Sequence, residues 1–444
     1  MGIEFRQVPI RELIAHGMAK LQTGPFGSQL HKHEYVDAGA GVPVIPTEGI
    51  GRGRIRADVN LPYVSVKKAS ELHRHRLQEG DILFARRGIQ ATGLSACVDG
   101  DHVGSLCGTG AILLRVDRSS IHPRFLAAFL ATDAAFNWLR SHAVGAVMPN
   151  LNTDIISDLV VPFPPIQTQI DIGNFVAALD DRIDLLRQTN ATLEAIAQAL
   201  FKSWLVDFDP VHAKAEGREP EAMDAATATL FPSKFEESEL GPIPKGWCTG
   251  RLGDVSSNIR DQARPDKIDP GTPYFGLEHM PRKSIALGDH GTADGLGSGK
   301  FWFEESDILF GKLRPYFHKV GLAPFKGICS TDILVLRPLQ PAFHAILLMH
   351  ASSDALIDYA TRLSNGAKMP RSSWKDIANY PLCVPPDSAV QAFNETVDPM
   401  LRRIKANVEA ASTLAELRDT LLPRLISGKL RLPEATEAAE AALA

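Results

Sequence analysis

Cysteine is scarce in this chain of 444 residues, and no two cysteines form a C-x-x-C pair. The five present are Cys97, Cys107, Cys248, Cys329 and Cys383. An odd and scattered set predicts neither a disulfide framework nor a zinc knuckle, and it favours a reducing compartment. The start, MGIEFRQV, carries charge where a secretory signal would be apolar. We therefore expect a cytoplasmic protein.

Long apolar runs and catalytic motifs are missing as well. No segment approaches the roughly 18 apolar residues of a membrane helix. Residues 295–300 are glycine-rich, but they lack the first glycine and the final Ser/Thr of a phosphate-binding P-loop. The pairs His31/His33 and His73/His75 fit solvated or core histidines better than metal ligands. With no H-E-x-x-H, G-x-S-x-G or amino-methyltransferase tetrapeptide, the sequence predicts no catalytic residue, metal site or cofactor.

The net charge of −5 conceals a basic region. Residues 207–240 hold nine acidic and three basic side chains, so the rest of the chain carries about +1. Residues 51–90 hold nine Lys/Arg against four Asp/Glu. The acidic sum therefore does not exclude a nucleic-acid partner.

The chain repeats itself with a period of about half its length. The segment DILF at residues 81–84 recurs at residues 307–310, and CGTGAILLRV from Cys107 recurs as CSTDILVLRP from Cys329. Further matches are residues 145–149 with 366–370, Pro43 with Pro273, and Glu48 with Glu278. The offset drifts from 230 to 221 along the chain, as loop insertions in the second copy would produce.

Each copy combines short β-favouring runs with a helix. The runs include DILF and AILLRV in the first copy, and a single helix is predicted after Pro123, with its counterpart after Pro341. Strands and helices do not alternate as βαβ units. We expect an α+β fold made of two tandem mixed α/β domains.

A heptad pattern of apolar residues follows each globular part. The predicted seam comprises Val176, Leu179, Ile183, Leu186, Asn190, Leu193, Leu200, Val397, Ile404, Asn407, Leu414 and Leu421. The pattern predicts two long helices, the first of about 40 residues and about 60 Å. Antiparallel pairing with Val176 opposite Leu421 would bring Asn190 opposite Asn407, which satisfies two costly buried amides. The alternative is that each helix is only the core helix of its own domain.

Basic side chains concentrate around the predicted strands of both copies. They are Arg52, Arg54, Lys67, Lys68, Arg74, Arg76, Arg86 and Arg87 in the first copy, and Lys312, Arg314 and Lys319 in the second. Arg86 and Arg87 directly follow one DILF strand, and Lys312 and Arg314 follow the other. Lys and Arg bind phosphates, and Arg also reads guanine, so we interpret these residues as DNA-binding. A solvated basic surface is the alternative.

Four segments carry a family resemblance. They are TGPFGS at residues 23–28, MPNLN at 148–152, TLEAIA running into FKSWLVDF at 192–208, and LLPRLISGKL at 421–430. In this order they resemble the DNA-specificity subunit of type I restriction–modification enzymes, over essentially the whole chain. The second copy lacks GPFGS and FKSW, so its recognition loop is harder to place.

The resemblance implies a non-catalytic DNA-recognition subunit. Two target-recognition domains would each read one half of a bipartite double-stranded DNA site. Two long antiparallel coiled-coil spacer helices would separate the domains with pseudo-twofold symmetry, set the gap, and dock two methyltransferase subunits. ATP-dependent restriction subunits would complete the complex. Phe201, Trp204 and Phe208 become candidates for partner docking, with packing under the next domain as the alternative.

The predicted domain boundaries follow from the repeat and the resemblance. They are 1–164 for the first recognition domain, 165–208 for the first spacer helix, 209–242 for an acidic connector, 243–385 for the second recognition domain, 386–430 for the second spacer helix, and 431–444 for an acidic tail. Two other classes stay open at this point. One is a coiled-coil scaffold without a DNA role, and the other is a fused modification or nuclease enzyme.

Overall fold

The computed structural model describes residues 5–56, 59–145, 147–264, 267–364 and 369–443. The chain divides into two units, the first formed by Met1–Ile183 with Thr413–Ala444 and the second by Asp184–Ser412. The division passes through both long helices. Residues 366–368 of the second repeat segment and residue 146 of the first lie outside the described residues.

The first unit begins with an α/β part. Its elements are β1 (Arg6–Pro9), α1 (Ile10–Ala15), β2 (Ala19–Thr23), β3 (Tyr35–Val36), β4 (Val42–Ile45), β5 (Gly53–Arg54), β6 (Tyr63–Val64), α2 (Val66–Glu71), β7 (Ile82–Ala85), β8 (Ser95–Cys97), β9 (Leu106–Cys107), β10 (Ala111–Val116), α3 (Pro123–Leu130), α4 (Asp133–His142), α5 (Thr153–Asp158) and β11 (Val160–Phe163). The long helix α6 (Ile166–Leu205) follows.

The second unit repeats this order after a short insertion. Its elements are α7 (Asp209–Ala215), α8 (Ala225–Thr229), β12 (Phe235–Ser238), β13 (Gly241–Pro244), β14 (Cys248–Arg251), α9 (Leu252–Val255), β15 (Ser256–Ile259), β16 (Gln262–Ala263), β17 (Pro273–Phe275), β18 (Gly291–Thr292), β19 (Lys300–Phe303), β20 (Ile308–Gly311), β21 (Val320–Leu322), β22 (Gly327–Cys329), β23 (Ile333–Pro338), α10 (His344–Ala351), α11 (Asp354–Leu363), α12 (Trp374–Ala378) and β24 (Pro381–Val384). Helix α13 (Asp387–Ile426) and helix α14 (Leu432–Leu443) complete the chain.

The two units share their sheet topology. The main sheet has the order β2-β10-β7-β8-β5 in the first unit and β15-β23-β20-β21 in the second. A parallel pair stands in the next sheet of each unit, β4 with β9 and β17 with β22. A separate ladder, β1 with β11 and β14 with β24, joins the start of each α/β part to the strand before its long helix. The predicted α+β class and the repeat are confirmed.

The main strands are buried because their runs are apolar throughout. All four residues of β7 and all four of β20 are buried, including the large side chains of Phe84 and Phe310. Burying such side chains contributes about 1.5–3 kcal/mol each, which fixes the strand register in both units.

The helix predicted after Pro123 begins at that residue, but the predicted segment does not continue as one helix to Leu139. The structure has two helices, because the Thr132 side chain accepts a hydrogen bond from the backbone N–H of Ala135 and caps a new helix. Ser353 caps α11 in the same way, through the N–H of Leu356, after α10 has ended.

The long helices match the heptad prediction in length and direction. Helix α6 and helix α13 have 40 residues each, which corresponds to about 60 Å. Within the second unit, Leu200 packs in the same core as Val397, while Asn190 contacts the carbonyl of Ile404 further along α13. Residue numbers rise in opposite directions, so the helices pair antiparallel.

The predicted connector and tail both carry regular structure. In the connector, Val211 and Phe231 are buried in the core of the second unit together with Trp204. In the tail, Ala435 of α14 is buried against the apolar cluster of the first unit that includes Val176. Both acidic segments therefore have an apolar face that packs on the fold.

Candidate nucleic-acid interface

A buried ion pair fixes the same strand end in both units. Asp81, directly before β7, accepts hydrogen bonds from Nε and Nη2 of Arg115 at 2.7 and 2.6 Å. Asp307, directly before β20, accepts the same two bonds from Arg337 at 2.7 and 2.7 Å. Both carboxylates are 2% exposed. The Arg side chain holds the sheet together here, because a bidentate charge-assisted pair fixes geometry as well as energy.

The opposite end of β7 carries Arg86 and Arg87. The backbone N–H of Arg86 donates to Gly110, and its carbonyl accepts from Leu151, so two loops close on this point. The Arg86 side chain is half-buried and its Nε donates to Oδ1 of Asn150 at 3.0 Å. Arg87 is exposed. Of the two, Arg87 is the guanidinium that the strand end presents to solvent.

The second unit closes its strand end with the same backbone pattern. The N–H of Lys312 donates to the carbonyl of Asp332, and the Lys312 carbonyl accepts from the N–H of Ser372. Arg314 has a left-handed φ of 52° and its guanidinium carbon lies 5.8 Å from the ring centre of Phe317. Lys312 therefore takes the place of Arg86. Leu313 takes the place of Arg87 in the bridge to the neighbouring loop, and Arg314 is the residue that follows it.

Lys319 is held differently from the other predicted cations of the second unit. Its Nζ donates to the backbone carbonyl of Leu277 at 2.5 Å. Burial lowers the pKa of Lys319, and nearby Arg282 lowers it further. Its side chain thus ties the turn at residues 277–279 to the strand end.

Arg52 and Arg54 lie away from the strand-end group. Arg52 donates from Nη2 to Asp133 at 2.6 Å, at the start of α4. Arg54 donates to Asp181 at 2.7 Å and lies 3.6 Å from Asp180, both on α6. Acidic side chains on the neighbouring helices draw both guanidiniums toward the helices.

The remaining predicted cations lie around α2. Lys68 is paired with Glu34 at 2.7 Å, and this hydrogen bond raises the pKa of Lys68. Lys67, Arg74 and Arg76 are exposed. These three side chains face solvent and suit phosphate contacts better than base reading.

A cavity of about 440 Å³ opens beside Arg87 in the first unit. Its lining includes Thr47, Glu48, Gly108, Gly110 and Met148. A Cβ on Gly110 would lie 2.5 Å from Oγ1 of Thr47 and 3.6 Å from Nε of Arg87. The absence of a side chain at residue 110 therefore brings the turn at residues 47–49 up to the arginine.

The sequence did not predict a group of exposed apolar side chains next to the strand end, formed by Ile89, Val147 and Met148. Ile89 is 69% exposed, Val147 is 88% exposed and Met148 is 59% exposed. In the second unit Met369, the repeat counterpart of Met148, is 50% exposed. The MPN segment of the first copy was the available signal for this tip, but it was used only as a family marker.

The helix seam contains the predicted asparagine pair. Nδ2 of Asn407 donates to Oδ1 of Asn190 at 2.8 Å, and Nδ2 of Asn190 donates to the carbonyl of Ile404 at 3.2 Å. The two side chains are 2% and 5% exposed, respectively. Each amide thus compensates the desolvation of the other.

The other predicted seam residues are all buried or partly buried. Those buried are Val176, Leu179, Ile183, Leu186, Val397, Ile404, Leu414 and Leu421, while Leu193 and Leu200 are partly buried. Val176 and Leu421 share one apolar cluster in the first unit.

The docking prediction for Phe201 and Trp204 is corrected by their burial. They are 3% and 4% exposed, and both pack edge-on against Phe393 within the second unit. Phe208 is partly buried and packs edge-on against Trp247. Aromatic side chains at the end of α6 gain more from the core of the second unit than from solvent. Packing under the next domain is therefore their observed role.

Neither a metal-binding cluster nor a membrane-spanning helix occurs within the described part of the chain. No group of three or more His, Cys, Asp or Glu side chains there is arranged to hold a metal ion. Across the same residues, no helix combines the length and apolarity needed to cross a membrane.

Comparisons with known proteins agree on one family. The model of the Type I restriction modification DNA specificity domain matches residues 38–195. The Type I restriction enzyme MjaIX specificity subunit of Methanocaldococcus jannaschii is 23% identical over 72% of this chain and 72% of its own length. The HindI specificity subunit of Haemophilus influenzae is 24% identical over 80% of this chain and 87% of its own length.

The fold is also found among solved structures. The S subunit of a Type-I restriction-modification system from M. genitalium superposes with a TM-score of 0.54 at 15% identity. The match covers 95% of this chain and 96% of that chain.

Proposed function

Since this chain belongs to the family of type I restriction–modification specificity subunits, we propose that each unit reads one half of a bipartite DNA target. The subunit is the recognition component of its system and not a catalytic one. One observation carries the proposal. Cations stand at the same strand end of the same sheet in both units, Arg86 and Arg87 after β7 and Lys312 and Arg314 after β20.

The chemistry of these side chains suits DNA. An exposed guanidinium such as that of Arg87 can donate two hydrogen bonds to O6 and N7 of guanine in the major groove. Exposed cations such as Lys67 and Arg76 supply phosphate contacts, which position the protein without reading sequence. Two such units in one chain can recognise two separate half-sites.

The paired helices supply the remaining parts of the proposal. Helices α6 and α13 would set the number of base pairs between the half-sites and dock methyltransferase subunits, two per specificity subunit. ATP-dependent restriction subunits would complete the complex. The asparagine pair Asn190–Asn407 supports a fixed register, because one buried polar pair specifies helix alignment.

Methylation mapping tests the proposal. The chain is co-expressed with its methyltransferase partner, and methylated adenines are mapped across the host genome. We expect a motif of two defined half-sites separated by an undefined gap. One contiguous motif would contradict the two-reader proposal, and an absence of methylation dependent on this chain would contradict the DNA role itself.

Substitution of Arg87 assigns one half-site to one unit. Arg87→Ala should relax or weaken recognition at a single half-site, by roughly ten- to a hundredfold in discrimination. Arg86→Ala should affect the same half-site, in part because Asn150 loses its partner. Arg11→Ala, at an exposed cation outside the strand-end group, is the matched control. Equal loss at both half-sites would rule out the assignment.

A further inference from the structure

Each unit carries one exposed glutamate on the face where the cations lie. Glu48 follows β4 on the turn at residues 47–49, and Glu278 follows β17 on the turn at residues 277–279. Both turns come directly after the strand that pairs in parallel, with β9 in one unit and β22 in the other. The two glutamates therefore occupy the same place in the fold.

In each unit, contacts hold the turn that carries the glutamate close to the strand end that carries the cations. Glu48 lines the cavity that also contains Arg87, and Thr47 beside it approaches Gly110 closely. In the second unit, Lys319 holds the carbonyl of Leu277, the residue before Glu278. Each carboxylate is consequently part of the proposed DNA-facing surface.

Neither carboxylate is held by a hydrogen bond or ion pair within the described residues, although that of Glu278 lies over Gly276 and its charge opposes the lowered pKa of Lys319. Both side chains are exposed, and neither Glu48 nor Glu278 forms a hydrogen bond or ion pair to any residue that the structure describes. By contrast, Glu34 in the first unit pairs with Lys68. An unpaired carboxylate next to cations weakens phosphate binding by charge repulsion, so its presence at this place in both copies needs another explanation.

We infer that Glu48 and Glu278 are specificity-determining residues that accept a hydrogen bond from the exocyclic amino group of a cytosine or adenine, one in each half-site. This inference rests on the proposed function. A carboxylate can only accept hydrogen bonds, and the donors on the major-groove edge of DNA are N4 of cytosine and N6 of adenine. Beside an arginine that reads guanine, a carboxylate that reads the paired cytosine completes the recognition of one base pair.

The test uses the full chain with its methyltransferase partner. Methylation maps and competition binding are compared for the wild type, Glu48→Gln, Glu278→Gln and the control Asp101→Asn, an exposed acid on the turn at residues 100–102. Glutamine keeps the shape and removes the charge, and it favours adenine. We expect each glutamine variant to change one base position in one half-site, with a roughly ten- to a hundredfold loss of discrimination there.

The controls separate this inference from the proposed function. Asp101→Asn should leave the map unchanged, and thermal unfolding verifies that all variants fold. Glu48→Ala provides a second variant, which should lose the same base preference without gaining one for adenine. If the wild-type map is bipartite but neither glutamine variant alters a base position, the inference is overturned and the proposed function stands.

Two further outcomes are decisive. A uniform gain in affinity for all sequences would assign the glutamates to charge repulsion alone and overturn base reading. A contiguous wild-type motif would contradict the two-reader proposal and the assignment of one glutamate to each half-site, while a base change in that motif with Glu48→Gln would still support base reading by Glu48. Without any DNA modification or binding by the wild-type complex, both are overturned.

Discussion

Both units contain the same frame, by which we mean the buried DILF strand, the neighbouring strand and the Asp–Arg ion pair that joins them. They differ in some residues of this frame and in the loops that follow it. Ahead of the buried aspartate, Gly80 has a left-handed φ of 83° in the first unit, whereas Ser306 has a φ of 68° in the second. Glycine adopts this conformation freely and serine does not, so the second unit tolerates strain to keep the frame. The backbone path is thus retained even where the favoured residue is absent.

Beyond the strands the units are no longer alike. In the first unit the loop residue Asn150 receives the Arg86 side chain. In the second, Arg371 stands at the corresponding position, and its Nε donates to Oδ1 of Asp332 at 3.1 Å. The frame therefore fixes the backbone position from which a DNA-contacting side chain extends, and the loops determine which side chain is exposed there. Recognition can therefore vary without loss of the fold.

The largest effect should come from breaking the shared frame. Asp81→Ala and Asp307→Ala each remove a buried carboxylate and leave Arg115 or Arg337 without its bidentate partner. Because these arginines are 34% and 40% exposed, we expect a loss of about 2–3 kcal/mol in unfolding free energy, below the range for fully buried pairs. Denaturant unfolding measures the loss. Asp101→Ala should change it by less than about 0.5 kcal/mol.

Equal losses at Asp81 and Asp307 would support one common frame. A loss in one unit only would show that the ion pair of the other unit does not stabilise its fold. The two units would then not share a common frame.

The sequence predicted the frame because the frame repeats. The DILF strands and the long helices are visible as repeated apolar patterns, since burial of Phe84 and Phe310 demands apolar residues in both copies. The helix break at Thr132 was missed because the apolar pattern continues across it from Phe129 to Phe136, and the break depends on one capping hydroxyl.

The candidate site was only partly predictable. Arg86 and Arg87 were placed correctly at a strand end, because they directly follow an apolar run. Arg54 was grouped with them by its nearness in sequence, yet Asp181 on a distant helix holds it. The repeat in the sequence matched Glu48 with Glu278. The exposure of Glu48 and the cavity that it lines could not be predicted, because they depend on the tertiary fold.

The seam offers a medium-sized test of the same comparison. The second unit holds the buried amide pair Asn190–Asn407, whereas in the first unit the apolar cluster around Val176 and Leu421 is accompanied by the partly buried ion pair of Arg418 with Asp180 at 2.6 Å. Asn190→Leu leaves the Asn407 amide buried without its side-chain partner, so we expect a loss of about 1–2 kcal/mol. Chemical unfolding measures it, with Gln188→Leu on the exposed face of α6 as the control.

The double variant Asn190→Leu/Asn407→Leu should recover most of that loss, because no amide then remains unpaired. It should also weaken the preference for one helix register, which assembly with methyltransferase subunits would report. Unchanged stability in the single variant, with unchanged assembly, would contradict the role of the pair.

We expect the smallest effect from the contact that ties an edge of the main sheet to helix α6, which differs between the two units. In the first unit, Arg54 at β5 is tied to Asp181 of α6. In the second unit, the corresponding segment at residues 284–286 bridges to Leu322 of β21 and is tied to α6 by Glu194. The Glu194 carboxylate accepts hydrogen bonds from the N–H of Ile285 at 3.0 Å and from the Ser284 hydroxyl at 3.2 Å. One anchor is an ion pair and the other is an isolated carboxyl group.

That isolated carboxyl should give the second unit a pH-dependent anchor at a place where the first unit has the ion pair of Arg54 and Asp181. Burial raises the pKa of Glu194 to about 7, although its hydrogen bonds from Ile285 and Ser284 oppose the rise. The folded state therefore binds a proton that the unfolded chain releases near pH 4.5. Stability gained from this group is full below pH 4.5 and is lost as pH rises toward 7, by roughly 1 kcal/mol or more. Glu194→Gln should reduce the loss of stability with rising pH in denaturant unfolding across that window, while Glu416→Gln, at an exposed position of α13, should match the wild type. Burial lowers the pKa of His75 and of His350 to about 4, so these groups contribute a slope of opposite sign that both variants keep. If the wild type and Glu194→Gln show the same pH dependence of unfolding free energy, Glu194 does not contribute to it and this difference between the two units is removed.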